Sequence, residues 1–167
     1  MTRSAAVPAG RRFVFGASGD IGSNLVPALV AAGYRVRASA RNVEVLEARG
    51  WDGVDLVQAD ALDVDSLRDA LAGVDTAYYL VHSMAAGRGF DAIDRKAAAN
   101  FAAADAGVRR IVWASSETTL GLPFSPENPP AYAPIDEDHP MRPESAYSLS
   151  KDLGEEMARQ MARWNPG

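Results

Sequence analysis

Short apolar runs rich in β-forming residues alternate with helix-like segments along most of this chain, and this alternation is what most constrains its fold. The four segments between the runs each end in glycine, as many helices do. Strands separated by helices run parallel, with helices covering both faces of the sheet. The sequence therefore predicts an α/β fold with a doubly wound parallel sheet, in a single domain over residues 1–167. The strand-like runs are "RFVFGA" (12–17), "YRVRASA" (34–40), "VDLVQAD" (54–60), "DTAYYLVHS" (75–83) and "RRIVWASS" (109–116).

The first predicted helix, over residues 20–33, contains Pro27 inside its apolar pattern. A proline there removes one backbone hydrogen bond and clashes with the preceding turn, so it should kink the helix. The segment keeps helical spacing on both sides of the proline. We therefore predict a helix with a kink at Pro27.

Residues 121–143 interrupt the alternation, because they hold seven of the ten prolines in the chain. This composition predicts a long irregular loop, and loops of that length inside a compact domain are usually functional or mobile. Two interpretations stay open. Either Phe124, Tyr132 and the acidic run 136–138 cover a pocket, or the loop only connects a strand to a helix.

Helical spacing resumes over residues 145–164, "SAYSLSKDLGEEMARQMARW". Leu149, Leu153, Met157 and Met161 recur at intervals of four residues, which places them on one face of a helix. We expect this stripe to pack into the core.

The composition excludes several classes of function. The 167 residues contain no cysteine and only two histidines, His82 and His139, so there is no disulfide and no thiol nucleophile, and we expect no metal site. A formal net charge of −5 disfavours a nucleic-acid surface, which needs a basic field. No apolar run reaches the length of a membrane span, and the first residues lack the hydrophobic stretch of a secretory signal. We therefore expect a cytoplasmic protein that binds neither nucleic acid nor membrane.

The stretch "GASGDIG" (16–22) follows the first strand and opens the first helix. Gly16, Gly19 and Gly22 allow a tight turn, a close backbone approach to a diphosphate, and close packing of helix on strand. The helix N-terminus would face the phosphate charge. This strand–turn–helix context favours dinucleotide binding over a purely structural turn.

The end of the second strand bears on which dinucleotide binds. NAD-selective sites usually place an Asp or Glu there to hold the ribose hydroxyls. This chain has Ala40 and Arg41 instead, and Arg37 is a second basic candidate. An arginine can bind a 2′-phosphate through charge-assisted hydrogen bonds, which favours NADP over NAD. The alternative is that both arginines simply face solvent.

Tyr147 and Lys151 lie four residues apart in "YSLSK" (147–151), and Lys151 is one of only two lysines in the chain. On a helix the two side chains share one face, close enough for the ammonium to stabilise the phenolate. A phenol stabilised in this way can exchange a proton near neutral pH. A solvated helix surface would show the same spacing, so the pair needs a cofactor site beside it.

With these motifs in view, the chain resembles the short-chain dehydrogenase/reductase superfamily, in its extended, epimerase/dehydratase branch. The resemblance covers nearly all of the chain and is most specific in "GASGDIG" (16–22), "WASSETTLG" (113–121) and "YSLSK" (147–151). It implies a Rossmann-like sheet with strand order 3-2-1-4-5. It also implies an NAD(P)-dependent epimerase, dehydratase or oxidoreductase that transfers hydride at a hydroxyl or keto carbon of a small-molecule substrate, with a nucleotide sugar as one candidate.

The resemblance also implies roles for individual residues. The family's catalytic residues match Ser116 (with Ser115 beside it), Tyr147 and Lys151. In the family the serine orients the substrate oxygen, the tyrosine exchanges its proton, and the lysine also holds the nicotinamide ribose. Asn100 falls near a helix asparagine that supports the site. The implied cofactor-binding residues are Gly16, Ser18, Gly19, Asp20, Ile21, Gly22, Arg41, Asp60, Ala61, Val81, His82 and Lys151.

Two features modify this expectation. "AYYLVHSM" (77–84) and "DRKAAANF" (94–101) are more similar to an atypical NAD(P)H-binding branch that often lacks the Tyr–Lys pair, so a non-catalytic NAD(P)H sensor stays as an alternative. The family's full-length members continue past the end of this chain, so we expect it to be the N-terminal portion, without the C-terminal substrate domain. An open strand at the edge of such a sheet would favour pairing with another copy, which leaves a homo-oligomer open.

Overall fold

Five parallel strands form the sheet that the sequence predicts. The computed structural model describes residues 10–82, 90–104 and 107–164, so Ser83, the end of the fourth predicted strand, lies outside the described residues. The order in the sheet is β3-β2-β1-β4-β5, and every neighbouring pair is parallel. The predicted order is confirmed. The strands are β1 (Arg11–Phe15), β2 (Arg35–Ala40), β3 (Asp55–Gln58), β4 (Thr76–Tyr79) and β5 (Arg110–Trp113).

Helices connect and follow these strands as expected. A 3-10 helix over Glu117–Leu120, which the sequence did not predict, comes after β5. Within the described ranges, no helix is both long and apolar enough to span a bilayer. The α-helices are α1 (Asp20–Ala31), α2 (Glu44–Glu47), α3 (Val64–Leu71), α4 (Phe90–Ala103) and α5 (Ala146–Trp164).

Each face of the sheet carries its own hydrophobic cluster. On one face, Val14 of β1 shares a cluster with Val26 of α1 and Leu46 of α2. On the other face, Phe15 of β1 shares a cluster with Phe101 of α4. Successive side chains of a strand point to opposite faces, so β1 is buried on both sides. The predicted doubly wound architecture is confirmed.

The first helix forms despite its proline. α1 runs from Asp20 to Ala31 without interruption, and Pro27 is exposed on its surface. The helix segment ends at Gly33, whose φ of +82° is a conformation that glycine adopts without steric cost. The chain can therefore turn directly into β2.

The orientation of α5 differs from the prediction. Leu149 and Leu153 are 42% and 40% exposed, so the expected apolar stripe does not form the buried face. The buried positions are instead Ser148, Lys151 and Gly154, among others. The expectation was wrong because helical spacing shows which residues share a face, whereas packing against α4 and β5 decides which face is buried.

A close contact between Gly154 and Trp113 sets the position of α5. The Trp113 ring stacks on Tyr79, with ring centroids 4.0 Å apart and planes 4° from parallel. A Cβ added to Gly154 would lie 2.5 Å from Cζ2 of Trp113. The helix backbone therefore rests directly on the indole, which holds α5 over the carboxyl end of β5.

We predict that Gly154→Ala destabilises the protein, although alanine is the better helix former. Alanine gains roughly 1 kcal/mol of helix propensity over glycine. A Cβ 2.5 Å from the indole must displace the ring or the helix, and overpacking of this kind costs about 1–3 kcal/mol. We expect the free energy of unfolding, measured by urea denaturation, to fall by about 1 kcal/mol.

The control is the same change in a Trp113→Phe background, where the second ring of the indole is gone. There, Gly154→Ala should be neutral or stabilising. A Gly154→Ala protein as stable as the wild type in the Trp113 background would show that the contact does not constrain α5.

Candidate functional site

The glycine turn after β1 brings several backbone segments into close contact. Gly16 has a φ of +92°, and a Cβ there would lie 3.2 Å from Cγ2 of Val81. A Cβ on Gly22 would lie 2.5 Å from the carbonyl oxygen of Gly16 and 2.6 Å from Cα of Ala17. The first turn of α1 is thus packed directly on the turn that precedes it.

An open cleft lies at the carboxyl ends of β1 to β4. The connection after β1 leads to α1 on one face of the sheet, whereas α4, which follows β4, lies on the other. Ligands of open α/β sheets bind at such a switch point. The lining consists of Phe15, Gly16, Ser18, Gly19, Ala40, Arg41, Ala59, Ala61, Leu80, Val81 and His82.

Helix α1 begins at this cleft, because its N-cap residue, Gly19, is part of the lining. No side-chain hydrogen bond caps the helix. The backbone amides of the first turn, from Asp20 to Gly22, therefore remain available to an anion. The side chains of Asp20 and Ile21 are exposed and do not line the cleft, so the contribution of this turn is its backbone.

The two arginines singled out in the sequence differ in position. Arg41 is exposed and lines the cleft. Arg37 lies outside the cleft, where its Nε donates to Oδ2 of Asp55 at 2.7 Å and its Nη1 donates to the carbonyl of Ala70 at 2.7 Å. Only Arg41 of the pair can meet a ligand here. An adjoining pocket is lined by Ser18, Ala40, Arg41, Asn42 and Val45.

Asp60 lies beside the cleft without lining it. Its neighbours Ala59 and Ala61 are in the lining, whereas Oδ1 of Asp60 accepts a hydrogen bond from the amide of Leu62 at 2.9 Å. Asn100 on α4 donates from Nδ2 to the carbonyl of Ala61 at 3.0 Å. Asn100 thus supports the cleft through the loop after β3.

Lys151 lies in the second turn of α5 and is only 6% exposed. Its Nζ donates to the carbonyl of Ala114, directly after β5, at 2.9 Å, and lies 5.8 Å from the ring centroid of Tyr147. Burial lowers the pKa of Lys151, and the Asp94 carboxylate opposes this. Tyr147, in the first turn of α5, is half-buried. The ammonium and the phenol ring therefore meet at the carboxyl edge of the sheet.

Ser116 begins the 3-10 helix after β5. Its Oγ accepts a hydrogen bond from the amide of Thr118 at 3.3 Å and lies 3.0 Å from Oγ1 of the same threonine. Ser115, beside it, donates to Oε1 of Glu155 on α5. Both serines border a second, more open cavity. Its lining is Ser115, Ser116, Thr119, Leu120, Ile135, Asp136, Glu137, Met141 and Glu155.

The proline-rich segment forms one wall of this second cavity through residues 135–141. Tyr132 donates to Oδ1 of Asp136 at 2.5 Å. That hydrogen bond raises the pKa of Tyr132 to about 12 and lowers the pKa of Asp136. Two residues of the acidic run, Asp136 and Glu137, line this cavity, which supports the interpretation that the run covers a pocket. Phe124 and Tyr132 instead pack against His139, which is 3% exposed.

The three predicted catalytic residues come from two elements that meet at the end of β5. Ser116 belongs to the 3-10 helix, and Tyr147 and Lys151 belong to α5, which packs against it. In the described part of the chain, no hydrogen bond links Ser116 to Tyr147. Ser116 lines the second cavity, whereas Tyr147 and Lys151 line neither cavity.

Comparison with known proteins gives the family. A family model described as NAD(P)H-binding matches residues 16–140, which is more than half of the chain. The chain belongs to this NAD(P)H-binding family. The matched range includes every residue that lines the cleft except Phe15.

Relatives of this NAD(P)H-binding chain are reductases and epimerases. It is 31% identical over 160 residues to the 4-hydroxy-2-methyl-3-oxo-4-farnesyl-3,4-dihydroquinoline-1-oxide ketoreductase of Stigmatella aurantiaca, covering 90% of this chain and 45% of the relative. It is 34% identical over 160 residues to the UDP-glucose 4-epimerase of Mycolicibacterium smegmatis, covering 87% and 49%.

A solved structure supports the same assignment of the chain to a family of NAD(P)H-binding proteins. A short-chain dehydrogenase/reductase superfamily protein from Agrobacterium tumefaciens, described with bound NAD, matches with a TM-score of 0.71 at 32% identity, over 93% of this chain and 46% of that chain. The chain therefore has the Rossmann-like fold of the short-chain dehydrogenase/reductase superfamily. It spans about half the length of the relatives that it matches.

The cleft of this NAD(P)H-binding domain fits a dinucleotide at its phosphate end. Gly16 and Gly19 have no side chain that would keep a ligand away from the backbone. At Gly16 there is also little room for a side chain, since a Cβ there would lie 3.2 Å from Cγ2 of Val81. The uncapped amides in the first turn of α1 are donors of the kind that a diphosphate requires, whereas the amide of Gly19 already donates to the Gly16 carbonyl at 3.2 Å. At the end of β2, Ala40 and Arg41 stand where an NAD-selective site would carry a carboxylate.

Sequence reasoning missed several residues of the two cavities. Ala59 comes directly after β3, so the strand end itself carried the signal that would have found it. Glu155 has no such signal. It lies two turns after Tyr147 and reaches Ser115 only because α5 packs across the end of β5.

We predict that alanine substitutions at Gly19 and Gly22 separate cofactor binding from folding. Gly22→Ala places a Cβ 2.5 Å from the Gly16 carbonyl oxygen, so its free energy of unfolding should fall by about 2 kcal/mol. Gly19 has a φ of −75°, and its added Cβ makes only an ordinary contact, 3.4 Å from the same oxygen. Gly19→Ala should therefore fold normally.

Gly19→Ala should nevertheless weaken NADPH binding about tenfold or more, because its methyl group would occupy the approach to the phosphates. Fluorescence titration with NADPH measures the affinity, and urea denaturation measures the stability of both variants. Wild-type NADPH affinity in Gly19→Ala would contradict this placement of the diphosphate.

Proposed function

We propose that this chain carries the cofactor site and the acid–base residues of an NADP-dependent enzyme of the short-chain dehydrogenase/reductase type. The reaction is hydride transfer at a hydroxyl or keto carbon of a small molecule, as an oxidoreductase or an epimerase/dehydratase, with nucleotide sugars among the candidate substrates. Residues 1–167 act in this proposal as one dinucleotide-binding domain. The ketoreductase and epimerase relatives support the reaction class.

The burial of Lys151 beside Tyr147 is the observation that carries the proposal. A buried ammonium is costly unless it has a partner or a task. Its Nζ is held by the Ala114 carbonyl at 2.9 Å and lies 5.8 Å from the phenol ring. A lysine that served only solubility would extend into water, as the exposed Lys96 does on α4. This contrast supports a role for Lys151 at the strand end.

In the proposed reaction Tyr147 exchanges a proton with the substrate hydroxyl. The positive charge of Lys151, whose Nζ lies 5.8 Å from the centroid of the phenol ring, favours release of this proton. Ser116 hydrogen-bonds the substrate oxygen and orients it for this transfer. The amide of Thr118, 3.3 Å from Oγ of Ser116, limits the positions that the hydroxyl can take.

A bound nicotinamide dinucleotide supplies the hydride donor or acceptor for this chemistry. Ser18 and the backbone of residues 16–22 would hold its diphosphate, and Lys151 would also hold the nicotinamide ribose, as the resemblance implies. Arg41 would pair with a 2′-phosphate, which favours NADP over NAD. The remaining proposed contacts are Ala61, Val81 and His82, in the lining of the cleft, with Asp60 beside it.

A non-catalytic NAD(P)H-binding sensor is the second candidate. It is favoured by the extent of the family match, which ends at residue 140 and leaves out Tyr147 and Lys151. A sensor needs the cleft but not the proton-transfer pair. The two candidates therefore differ in what removal of the Tyr147 hydroxyl does.

We predict that Tyr147→Phe lowers turnover by about a hundredfold or more, because the proton-exchanging group is lost. Its dissociation constant for NADPH should stay within about twofold of the wild type, since the ring remains. NADPH consumption is measured against a panel of ketones and nucleotide sugars. Tyr34→Phe, which removes a phenol at the start of β2, is the matched control and should retain full turnover.

Wild-type turnover in Tyr147→Phe would refute the acid–base assignment. A wild-type protein that binds NADPH tightly and consumes it with no member of the panel would favour the sensor.

We predict that Arg41→Ala weakens binding of NADPH about tenfold or more and of NADH little, because only NADPH carries the 2′-phosphate. Both affinities follow from nicotinamide fluorescence titrations. Arg37→Ala is the control of equal charge, and it should leave the ratio of the two affinities unchanged because Arg37 is engaged with Asp55. Equal losses for both cofactors in Arg41→Ala would reject the phosphate role.

A further inference from the structure

Two neighbouring glutamates on α5 differ in what they bind. Oε1 of Glu155 accepts a hydrogen bond from the hydroxyl of Ser115, and its Oε2 lies 3.0 Å from Nη2 of Arg159. Glu156 also pairs with Arg159, whose Nη1 lies 3.3 Å from its Oε2, and its Oε1 accepts a hydrogen bond from Gln160. Both of these partners of Glu156 belong to α5, whereas Glu155 joins α5 to the segment that follows β5.

The exposure of the two side chains follows the same division. The side chain of Glu155 is 22% exposed and lines the second cavity. The side chain of Glu156 is 54% exposed and lies outside that cavity. A glutamate that served only solubility would face water, as Glu156 does. The contrast supports a role for Glu155 at the end of β5.

Helix α5 binds two consecutive residues after β5. Nζ of Lys151 donates to the carbonyl of Ala114 at 2.9 Å, and one turn later Glu155 accepts from Ser115. One bond would let the chain after Ala114 pivot about it, whereas two bonds from one helix face also fix the direction of the chain. Tyr147, one turn before Lys151, lies on that same face of α5.

The bond to Glu155 also distinguishes the two serines that the sequence left side by side. The hydroxyl of Ser115 has one proton, and that proton is donated to Glu155. Oγ of Ser116 lies 3.0 Å from Oγ1 of Thr118, where the threonine can be the donor. Ser116 is therefore the serine of the two whose proton remains for a substrate oxygen.

We propose that Glu155 is a positioning residue, which fixes Ser116 relative to Tyr147 through its bond to Ser115. Ser116 directly follows Ser115, so the direction of the chain at Ser115 decides where the hydroxyl of Ser116 lies. A displacement of about 1 Å in a group that orients a substrate can cost about a hundredfold in rate. The catalytic consequence rests on the proposed function, because this geometry matters for turnover only if Ser116 and Tyr147 serve the reaction.

The carboxylate of Glu155 is itself held in place. Arg159 binds its Oε2 from the next turn of α5, which limits rotation of the side chain and keeps Oε1 directed at Ser115. An ionised acceptor also makes a stronger hydrogen bond than a neutral one. Glu155 acts through Ser115 and exchanges no proton with the substrate.

A double-mutant cycle tests this role. Glu155→Ala and Ser115→Ala each break the bond, so each should lower kcat about tenfold, because Ser116 can then move. The double variant should also lose about tenfold, not about a hundredfold, because both changes break the same bond. Glu155→Gln, whose side-chain carbonyl still accepts from Ser115, should keep kcat within about threefold of the wild type.

Glu156→Ala is the matched control, because it removes the same charge and a partner of the same arginine on the next residue. Its kcat should stay within about twofold of the wild type, since Glu156 binds within α5. NADPH affinity should be unchanged in every variant, because Ser115, Glu155 and Glu156 lie outside the lining of the cofactor cleft. Losses of kcat that multiply in the double variant overturn the proposal, and so does a Glu155→Gln protein as impaired as Glu155→Ala.

Hydrogen exchange gives a measurement that needs no turnover. The amide of Thr118 donates to Oγ of Ser116 at 3.3 Å, so movement of Ser116 exposes this amide. In the full chain, NMR should show that it exchanges about fivefold faster or more in Glu155→Ala and Ser115→Ala, and at the wild-type rate in Glu156→Ala. Circular dichroism checks the fold, and if Glu155→Ala does not fold, Ser115→Ala, which breaks the same bond, decides the result.

The exchange measurement separates this inference from the proposed function. Wild-type exchange at Thr118 in the folded variants of an active enzyme overturns the role of Glu155 alone. Faster exchange in a protein that consumes NADPH with no ketone or nucleotide sugar of the panel supports the fixing of Ser116 and counts against the enzyme.

Discussion

The direct contact between the first turn of α1 and the turn after β1 is the constraint on which the rest of the structure depends. Gly22 lies against the backbone of Gly16 and Ala17 with no room for a Cβ. The same contact places the uncapped N-terminus of α1 at the carboxyl edge of the sheet. Close packing and the proposed binding of a diphosphate both require glycine backbone without side chains at this turn.

A second close contact fixes the other end of the site. Gly154 rests on Trp113, which stacks on Tyr79, so the position of α5 is tied to the last residues of β4 and β5. That orientation buries Lys151 and directs it to the carbonyl of Ala114. The helix therefore buries a charged side chain while Leu153 stays exposed. Burying a charged side chain while a leucine stays exposed destabilises the fold, and a functional role for the charge explains why it is buried.

Fold and site were predictable from the sequence to different degrees. The glycine turn followed from a local pattern, since turns are encoded in consecutive residues, whereas the strand order followed from the family resemblance. The difference between Arg37, which lies within β2, and Arg41, which directly follows it, was not predictable, because only the pairing of β2 with β3 places Asp55 beside Arg37. The contact of Ser115 with Glu155 likewise joins residues that are forty positions apart.

By itself, the sequence determined the parallel α/β architecture and the glycine turn, because periodicity and glycine spacing act over short stretches of chain. It also placed Tyr147 and Lys151 on one helix face. Only the tertiary structure decided which face of α5 is buried and that Asn100 on α4 bonds to the carbonyl of Ala61. These outcomes depend on how α4 and α5 pack on the sheet, and packing between elements distant in sequence leaves no periodic trace in either one.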